Sequence, residues 1–340
     1  MRIPLEIPKC FARARLAVNP VLAAASSGLE SELRRVVEYH WGWVDRNGVV
    51  IDERPGKALR PALALLSAEA VGSDVEVALA GAAAVELVHD FTLLHDDVMD
   101  DDHERRGRPA AWTVFGIGRA ICAGDAMSLL AQQVLLGDPS AHRCQALSVL
   151  LEATQTVIAG QALDLSFEGR VDVSVGDYLS MSGQKTGALL GCSASIGAIL
   201  AGASANHVAA LREFGEALGL AFQAVDDWLG IWGDPVRVGK PAASDLRQRK
   251  ASLPIVMAMA SGEPAGRALR QWMASDEPVD EAAVARGVEW LDSLDTETET
   301  ISLARREFRR AIENLDKVPF EEGARNDLVR LASFVVEREF

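Results

Sequence analysis

Two long apolar segments of this chain each run into a pair of aspartates, "AVELVHDFTLLHDDVMD" at 84–100 and "LGLAFQAVDDWLGIWGD" at 218–234. Their apolar residues recur at helical spacing, so both are predicted to be helices that bury most of their surface. Any fold that accepts them must also supply a counter-charge, because burying unpaired carboxylates is expensive. The first pair sharpens this demand. Residues 96–104 hold five aspartates and a glutamate, and Arg105 and Arg106 follow at once. Like charges this close repel, and carboxylates at a helix C-terminus also oppose its dipole. A divalent cation is the natural compensator, and the arginines then need an anion of their own.

The rest of the chain reads as helix too. Alternating β-branched runs are nearly absent, and small residues (Gly215, Gly219, Ala221, Ala224) occupy several faces of one segment. Pro61 opens a helix, Gly72-Ser73-Asp74 breaks it, and long helices are predicted over 142–167 and 205–232. The expected fold is all-α, a single domain over 1–340. Residues 1–30 would form an N-terminal extension and first helix, and 262–340 peripheral helices. The formal net charge of −15 is a poor match for nucleic acid or anionic lipid. Four cysteines without C-x-x-C spacing suggest neither a zinc site nor a disulfide framework. The N-terminus lacks an apolar signal core, and no stretch reaches the roughly 20 uninterrupted apolar residues of a membrane span. A cytoplasmic protein without stable membrane insertion is expected.

Asp96 and Asp100 are one turn apart on a shared helix face. They suit Mg²⁺, which takes few carboxylates and keeps water or phosphate oxygens for its other positions. An exposed acidic helix end is the plain alternative. The second pair, Asp226 and Asp227, lies in a more apolar helix. One turn later stands Gly230 rather than an acid, and Gln223 sits one turn before. The basic residues form an anion-binding half: Lys57 and Arg60 in "GKALRP", Arg105 and Arg106, Lys185 beside Thr186 in "QKTG", and Lys240 and Lys250 in "GKPAASDLRQRKASLP". Lys185 stands alone in an apolar helix and is expected to face a cavity, with snorkelling to the surface as the alternative. His89 falls on nearly the same face as Asp96 and is expected to contact diphosphate rather than to be a core histidine. No nucleophilic triad and no glycine-rich nucleotide loop is visible.

Together these segments, in this order, resemble the trans-type isoprenyl diphosphate synthases (polyprenyl synthetases). The match includes "GKALRPALALL", "AVELVHDFTLLHDDVMDDDHERRGRPAAW", "GQALDLSFE", "QKTGALLGCSASIGA" and "AFQAVDDWLGIWGDPVRVGKPAASDLRQRKASLP". "YHWGW" at 39–43 is similar to the actinobacterial geranylgeranyl diphosphate synthases. The resemblance implies a large helical bundle around a deep central cavity, usually a homodimer. It implies about three Mg²⁺ ions per site, held by Asp96, Asp100 and Asp226, with Asp97 and Asp227 assisting. Arg105, Lys185, Lys240 and Lys250 would bind the allylic diphosphate. Lys57, Arg60, His89 and Arg106 would bind isopentenyl diphosphate, while Thr186 and Gln223 turn oxygen dipoles toward the carbocation. Released pyrophosphate would accept the proton.

Two departures from the family pattern stand out: Gly230 replaces the last acid of the second motif, and Pro55-Gly56 replaces a double glycine. A terpene cyclase of the same fold would need the aspartates but not the isopentenyl site, so retention of that site favours chain elongation. Chain length should depend on Phe91 and Thr92. A helical wheel makes Thr92 the nearer wall below Asp96, whereas the resemblance assigns the floor to Phe91. One bulky residue followed by a small one resembles the enzymes of this family that stop at twenty carbons, so the resemblance implies geranylgeranyl diphosphate, with farnesyl diphosphate as the alternative.

Overall fold

Short polar caps set where several of the helices begin. Ser140 Oγ accepts from the Arg143 amide, Ser204 Oγ accepts from the His207 amide, and Ser174 forms a reciprocal capping box with Asp177. The computed structural model describes residues 8–51, 56, 58–235 and 241–337. Its N-terminal half contains α1 (Lys9–Ser26), α2 (Ser31–His40), α3 (Leu59–Ala70), a 3₁₀ turn (Val75–Ala78) and α4 (Leu79–Met99). A two-stranded hairpin follows, β1 (Glu104–Arg105) with β2 (Arg108–Pro109), then α5 (Ala111–Phe115), α6 (Ile117–Leu136) and α7 (Ala141–Phe167). After these come α8 (Val175–Ser182), a π-helical turn (Gly183–Gly187), α9 (Ala188–Leu200) and α10 (Ala205–Trp232). The chain continues as α11 (Ser244–Arg247), α12 (Leu253–Ala260), α13 (Pro264–Met273), α14 (Glu281–Ser293), α15 (Thr296–Leu315) and α16 (Glu322–Glu337).

The fold is all-α, as expected, and α7 and α10 match the helices predicted over 142–167 and 205–232. The hairpin was not anticipated. It closes through Arg106 and Gly107, both at positive φ, the backbone that a two-residue hairpin turn requires. The main core joins α1, α3, α4, α6, α9, α10, α15 and α16, while a second cluster gathers α11 to α14 against the end of α10. The peripheral position expected of 262–340 therefore fails for α15 and α16. Leu303, Ala311, Leu328 and Leu331 are buried in the main core, and Phe334 meets Phe11 edge-to-face. Their charged faces dominated the sequence pattern and hid the apolar stripe beneath.

Two helical stretches among the described residues, Val75–Met99 and Ala141–Phe167, are long and apolar enough to cross a membrane by length and composition, although charged residues interrupt both. The apolar window of the first is 67% buried inside the bundle, so it behaves as a core helix.

The glycines of α10 allow its close approach to α9. A Cβ at Gly215 would lie 2.8 Å from Ala194 Cβ and closer still to the Leu190 carbonyl oxygen. Gly215→Ala should therefore force the two helices apart and cost about 1–3 kcal/mol. Chemical denaturation checks this, and an unchanged midpoint would refute the close packing.

Candidate active site

The acids at the end of α4 are held under electrostatic tension. Asp96 lies in its last turn and Asp100 caps it. Burial pushes the Asp96 carboxyl up to about 6; Asp100 and Asp164 push the same way, while Lys185 and Arg105 oppose them. Asp100 is also raised, chiefly by desolvation, against the pull of Lys185 and Lys250. Asp97 points elsewhere. It is 1% exposed, and its Oδ1 accepts from Arg105 Nε at 2.6 Å. Its Oδ2 is buried with no hydrogen-bond partner among the described residues. The oxygen-only donor set of Asp96 and Asp100, with both carboxyls raised, fits a hard divalent cation.

Helix α10 carries Gln223, Asp226 and Asp227. Asp226 is half-buried, and its charge reaches Arg60 on α3. Asp227 is the hub of a buried relay. It accepts from Tyr178 Oη, from Gln223 Nε2 at 3.0 Å and from the Leu253 amide at 3.1 Å. Burial, with Asp245 adding, still lifts its carboxyl to about 6. Thr186 Oγ1 donates to Gln223 Oε1 at 2.9 Å, so Thr186, Gln223 and Asp227 form one chain. The π-helical turn presents both Lys185 and Thr186, a distortion often found at functional sites. Gly160 of α7 allows the close fit, because a Cβ there would lie 2.8 Å from Lys185 Cα.

Lys185 is not the lone lysine that its surroundings in sequence suggested. Its Nζ donates to Asp164 Oδ2 at 2.6 Å. Asp164 is the principal residue that sequence reasoning missed. The signal was an acid within the apolar run of "GQALDLSFE", but α7 had to be seen beside the π-turn to give it a partner. Tyr178 carried no signal at all. Lys250 responds to Asp164, Asp245, Asp227 and Asp100 together, so it lies electrostatically between the two acidic groups.

Arg60, His89 and Arg106 meet in a neighbouring corner. Burial draws His89 well below its usual range, and the charges of Arg60, Arg106 and Arg105 draw it down further, so the ring is neutral. Glu86 is pushed up to about 8 by burial and by Asp90, against Arg60 and Arg106. Trp41 Nε1 donates to Asp90 Oδ2 at 2.8 Å, which gives the "YHWGW" stretch a role in shaping this corner. Arg106 packs so close to Gly56 that a Cβ at Gly56 would lie 2.9 Å from its Nη2. Lys57 and Lys240 lie outside the described residues. Phe91 is buried with its ring edge-to-face on His95, and Thr92 Oγ1 donates to the His89 carbonyl at 2.7 Å.

The polyprenyl synthetase family model matches residues 43–291. The (2E,6E)-farnesyl diphosphate synthase of Mycobacterium tuberculosis (strain ATCC 25618 / H37Rv) is 42% identical over 336 residues, 95% of this chain and 90% of its own. The geranylgeranyl diphosphate synthase of the same strain is 44% identical over 271 residues, 78% of this chain and 77% of its own. A solved polyprenyl synthetase from Streptomyces coelicolor A3(2) is similar with a TM-score of 0.92 and 45% identity, over 96% of this chain and 99% of its own. The chain belongs to the polyprenyl synthetase family and is a trans-prenyltransferase of the isoprenoid synthase fold. The family uses a divalent metal.

The raised carboxyl of Asp96 carries a stability signature. Between the ordinary aspartate range and about pH 6, the folded carboxyl keeps a proton that the unfolded chain releases. The group therefore lowers stability as pH rises through that window, with the full effect above it. Asp96→Asn should raise the unfolding midpoint of the metal-free protein at pH 8 and leave it near wild type at pH 4. Equal shifts at both pH values would show that the side chain acts only through packing.

Proposed function

We propose that this chain condenses isopentenyl diphosphate with allylic diphosphates in a magnesium-dependent reaction, with geranylgeranyl diphosphate as its main product. The observation that carries this reading is that the charge of Lys250 is shared by Asp100 at the end of α4 and Asp227 on α10, which puts a cationic side chain within electrostatic reach of both aspartate groups. Asp96, Asp100 and Asp226 would hold the magnesium, three ions per active site. When bound, the metal supplies charge neutralisation to the departing diphosphate. Lys185, Arg105, Lys240 and Lys250 grip that diphosphate as the bond to the allylic carbon breaks and negative charge grows on it. Asp97 holds Arg105 in place, and Asp164 does the same for Lys185. Thr186 and Gln223, oriented through Asp227, turn their oxygens toward the allylic cation. Lys57, Arg60, neutral His89 and Arg106 hold isopentenyl diphosphate so that its double bond reaches the cation. The proton lost after carbon–carbon bond formation goes to the released pyrophosphate.

The protein would act in the cytoplasm as a homodimer. Support for the dimer is the apolar surface on neighbouring helices, with Ile121 and Leu129 exposed on α6 and Leu151 and Ile158 on α7. The test of the whole reading is turnover of purified protein with Mg²⁺ and both diphosphates, followed by product chromatography. Asp96→Ala or Asp100→Ala should lower the rate about a hundredfold or more while the fold survives. Arg60→Ala should impair isopentenyl diphosphate use most, and Lys185→Ala the allylic substrate. Product formed without isopentenyl diphosphate would favour a cyclase instead.

For chain length, the growing product runs from the aspartates toward Phe91. A bulky residue there, followed by the smaller Thr92, leaves space for twenty carbons rather than fifteen. The 42% identical farnesyl synthase keeps farnesyl diphosphate as the second reading. Phe91→Ala should lengthen the product and Thr92→Phe should shorten it, read by chromatography of the dephosphorylated alcohols. Unchanged length in both variants would remove these residues from the tunnel.

A further inference from the structure

The hairpin after α4 carries two of the cations assigned to substrate, and it holds them in different ways. Arg105 lies on β1 and is anchored to α4 through Asp97, whose Oδ1 accepts from its Nε at 2.6 Å. Arg106 stands at the exposed turn at φ 55°, a strained backbone for a residue with a side chain. Its approach to Gly56 therefore depends on what fixes the hairpin. Arg108 does this from β2, directly opposite Arg105 in the strand register. Its Nη1 donates to the Tyr39 carbonyl at 3.3 Å and its Nη2 to the Val44 carbonyl at 3.1 Å. The same guanidinium lies 4.3 Å from the centre of the Tyr39 ring, and Tyr39 Oη donates back to the Pro109 carbonyl at 2.8 Å. The 39–44 segment is a firm base for this clamp. The Trp41 amide donates to the Val37 carbonyl at 3.0 Å, the Gly42 amide to the Tyr39 carbonyl at 2.9 Å, and the rings of Trp41 and Trp43 pack at 4.5 Å. Trp41 Nε1 ties the segment to Asp90 on α4, the neighbour of His89. One segment thus joins the helix that presents His89 to the hairpin that presents Arg106.

We propose that Arg108 is a positioning residue for isopentenyl diphosphate binding: by clamping β2 to the 39–44 segment, it holds Arg106 where the diphosphate of that substrate is received. The inference rests on the role proposed above for Arg106. Arg108 acts through the hairpin rather than on the substrate, because its guanidinium is committed to two carbonyls and an aromatic face. Arg105 has its own anchor in Asp97, so loss of the clamp falls on the isopentenyl site and spares the allylic one.

The test is steady-state kinetics of the purified protein with Mg²⁺, each diphosphate varied in turn. Arg108→Ala should raise KM for isopentenyl diphosphate by about tenfold, the scale of a lost charge-assisted contact, and leave kcat and the allylic KM near wild type. Arg108→Lys keeps the charge over the Tyr39 ring but cannot bridge two carbonyls. It should show the same split at smaller size, which carries the test if the alanine variant fails to fold. Arg106→Ala should raise the isopentenyl KM by itself. The double variant Arg106→Ala with Arg108→Ala should lose no more than Arg106→Ala alone, since both act through one contact. An unchanged isopentenyl KM in the Arg108 variants, with a rise in Arg106→Ala, would overturn the clamp and leave the enzyme reading intact. Equal rises in both KM values, or losses that add in the double variant, would also overturn it, reducing Arg108 to general support of the fold. An unchanged isopentenyl KM in Arg106→Ala would overturn the role of Arg106 and the clamp with it.

Discussion

The organisation of this site follows from the cost of crowding carboxylates at one helix end, with Asp96 half-buried and Asp100 exposed. Asp96 and Asp100 sit at the C-terminal end of α4, where the helix dipole already disfavours negative charge. Desolvation and mutual repulsion raise both carboxyls, and the cations of Lys185, Lys250 and Arg105 only partly relieve them. The protein keeps an arrangement that is unfavourable when empty and favourable once positive charge arrives. A divalent cation, which the family uses, brings that charge. The same logic applies to the corner around Arg60 and Arg106, where burial draws His89 down and pushes the Glu86 carboxyl up to about 8, so neither offsets the guanidinium charge.

Order in the site comes from paired supports rather than from the reactive groups themselves. Arg105 is held by Asp97 and Lys185 by Asp164, so both cations are oriented before substrate arrives. Thr186, Gln223, Asp227, Tyr178 and the Leu253 amide form one hydrogen-bonded sequence across α8, the π-turn, α10 and α12. Such a sequence fixes the orientation of each side chain in it, because every member is held by its neighbour. Glycine supplies the close approaches. Gly160 admits the π-turn against α7, Gly215 lets α10 meet α9, and Gly230 lets α11 meet α10.

Much of this was legible in the sequence. Helical periodicity and the lack of alternating strands determined the all-α class, and the extents of α7 and α10 followed from the scarcity of internal helix breakers. The paired aspartates at 96, 100 and 226 and the basic residues around them were visible because local spacing fixes which residues share a helix face. What local spacing cannot carry is the partner across the fold. That Asp164 answers Lys185, that Tyr178 serves Asp227 and that Asp245 settles against Gly230 depends on helix packing between residues far apart in the chain. The burial of α15 and α16 was likewise hidden, since a charged face says little about the stripe opposite it. Tertiary structure also decided the protonation tendencies, because desolvation and remote charge, not residue type, set the carboxyls of Asp96 and Asp227 near 6.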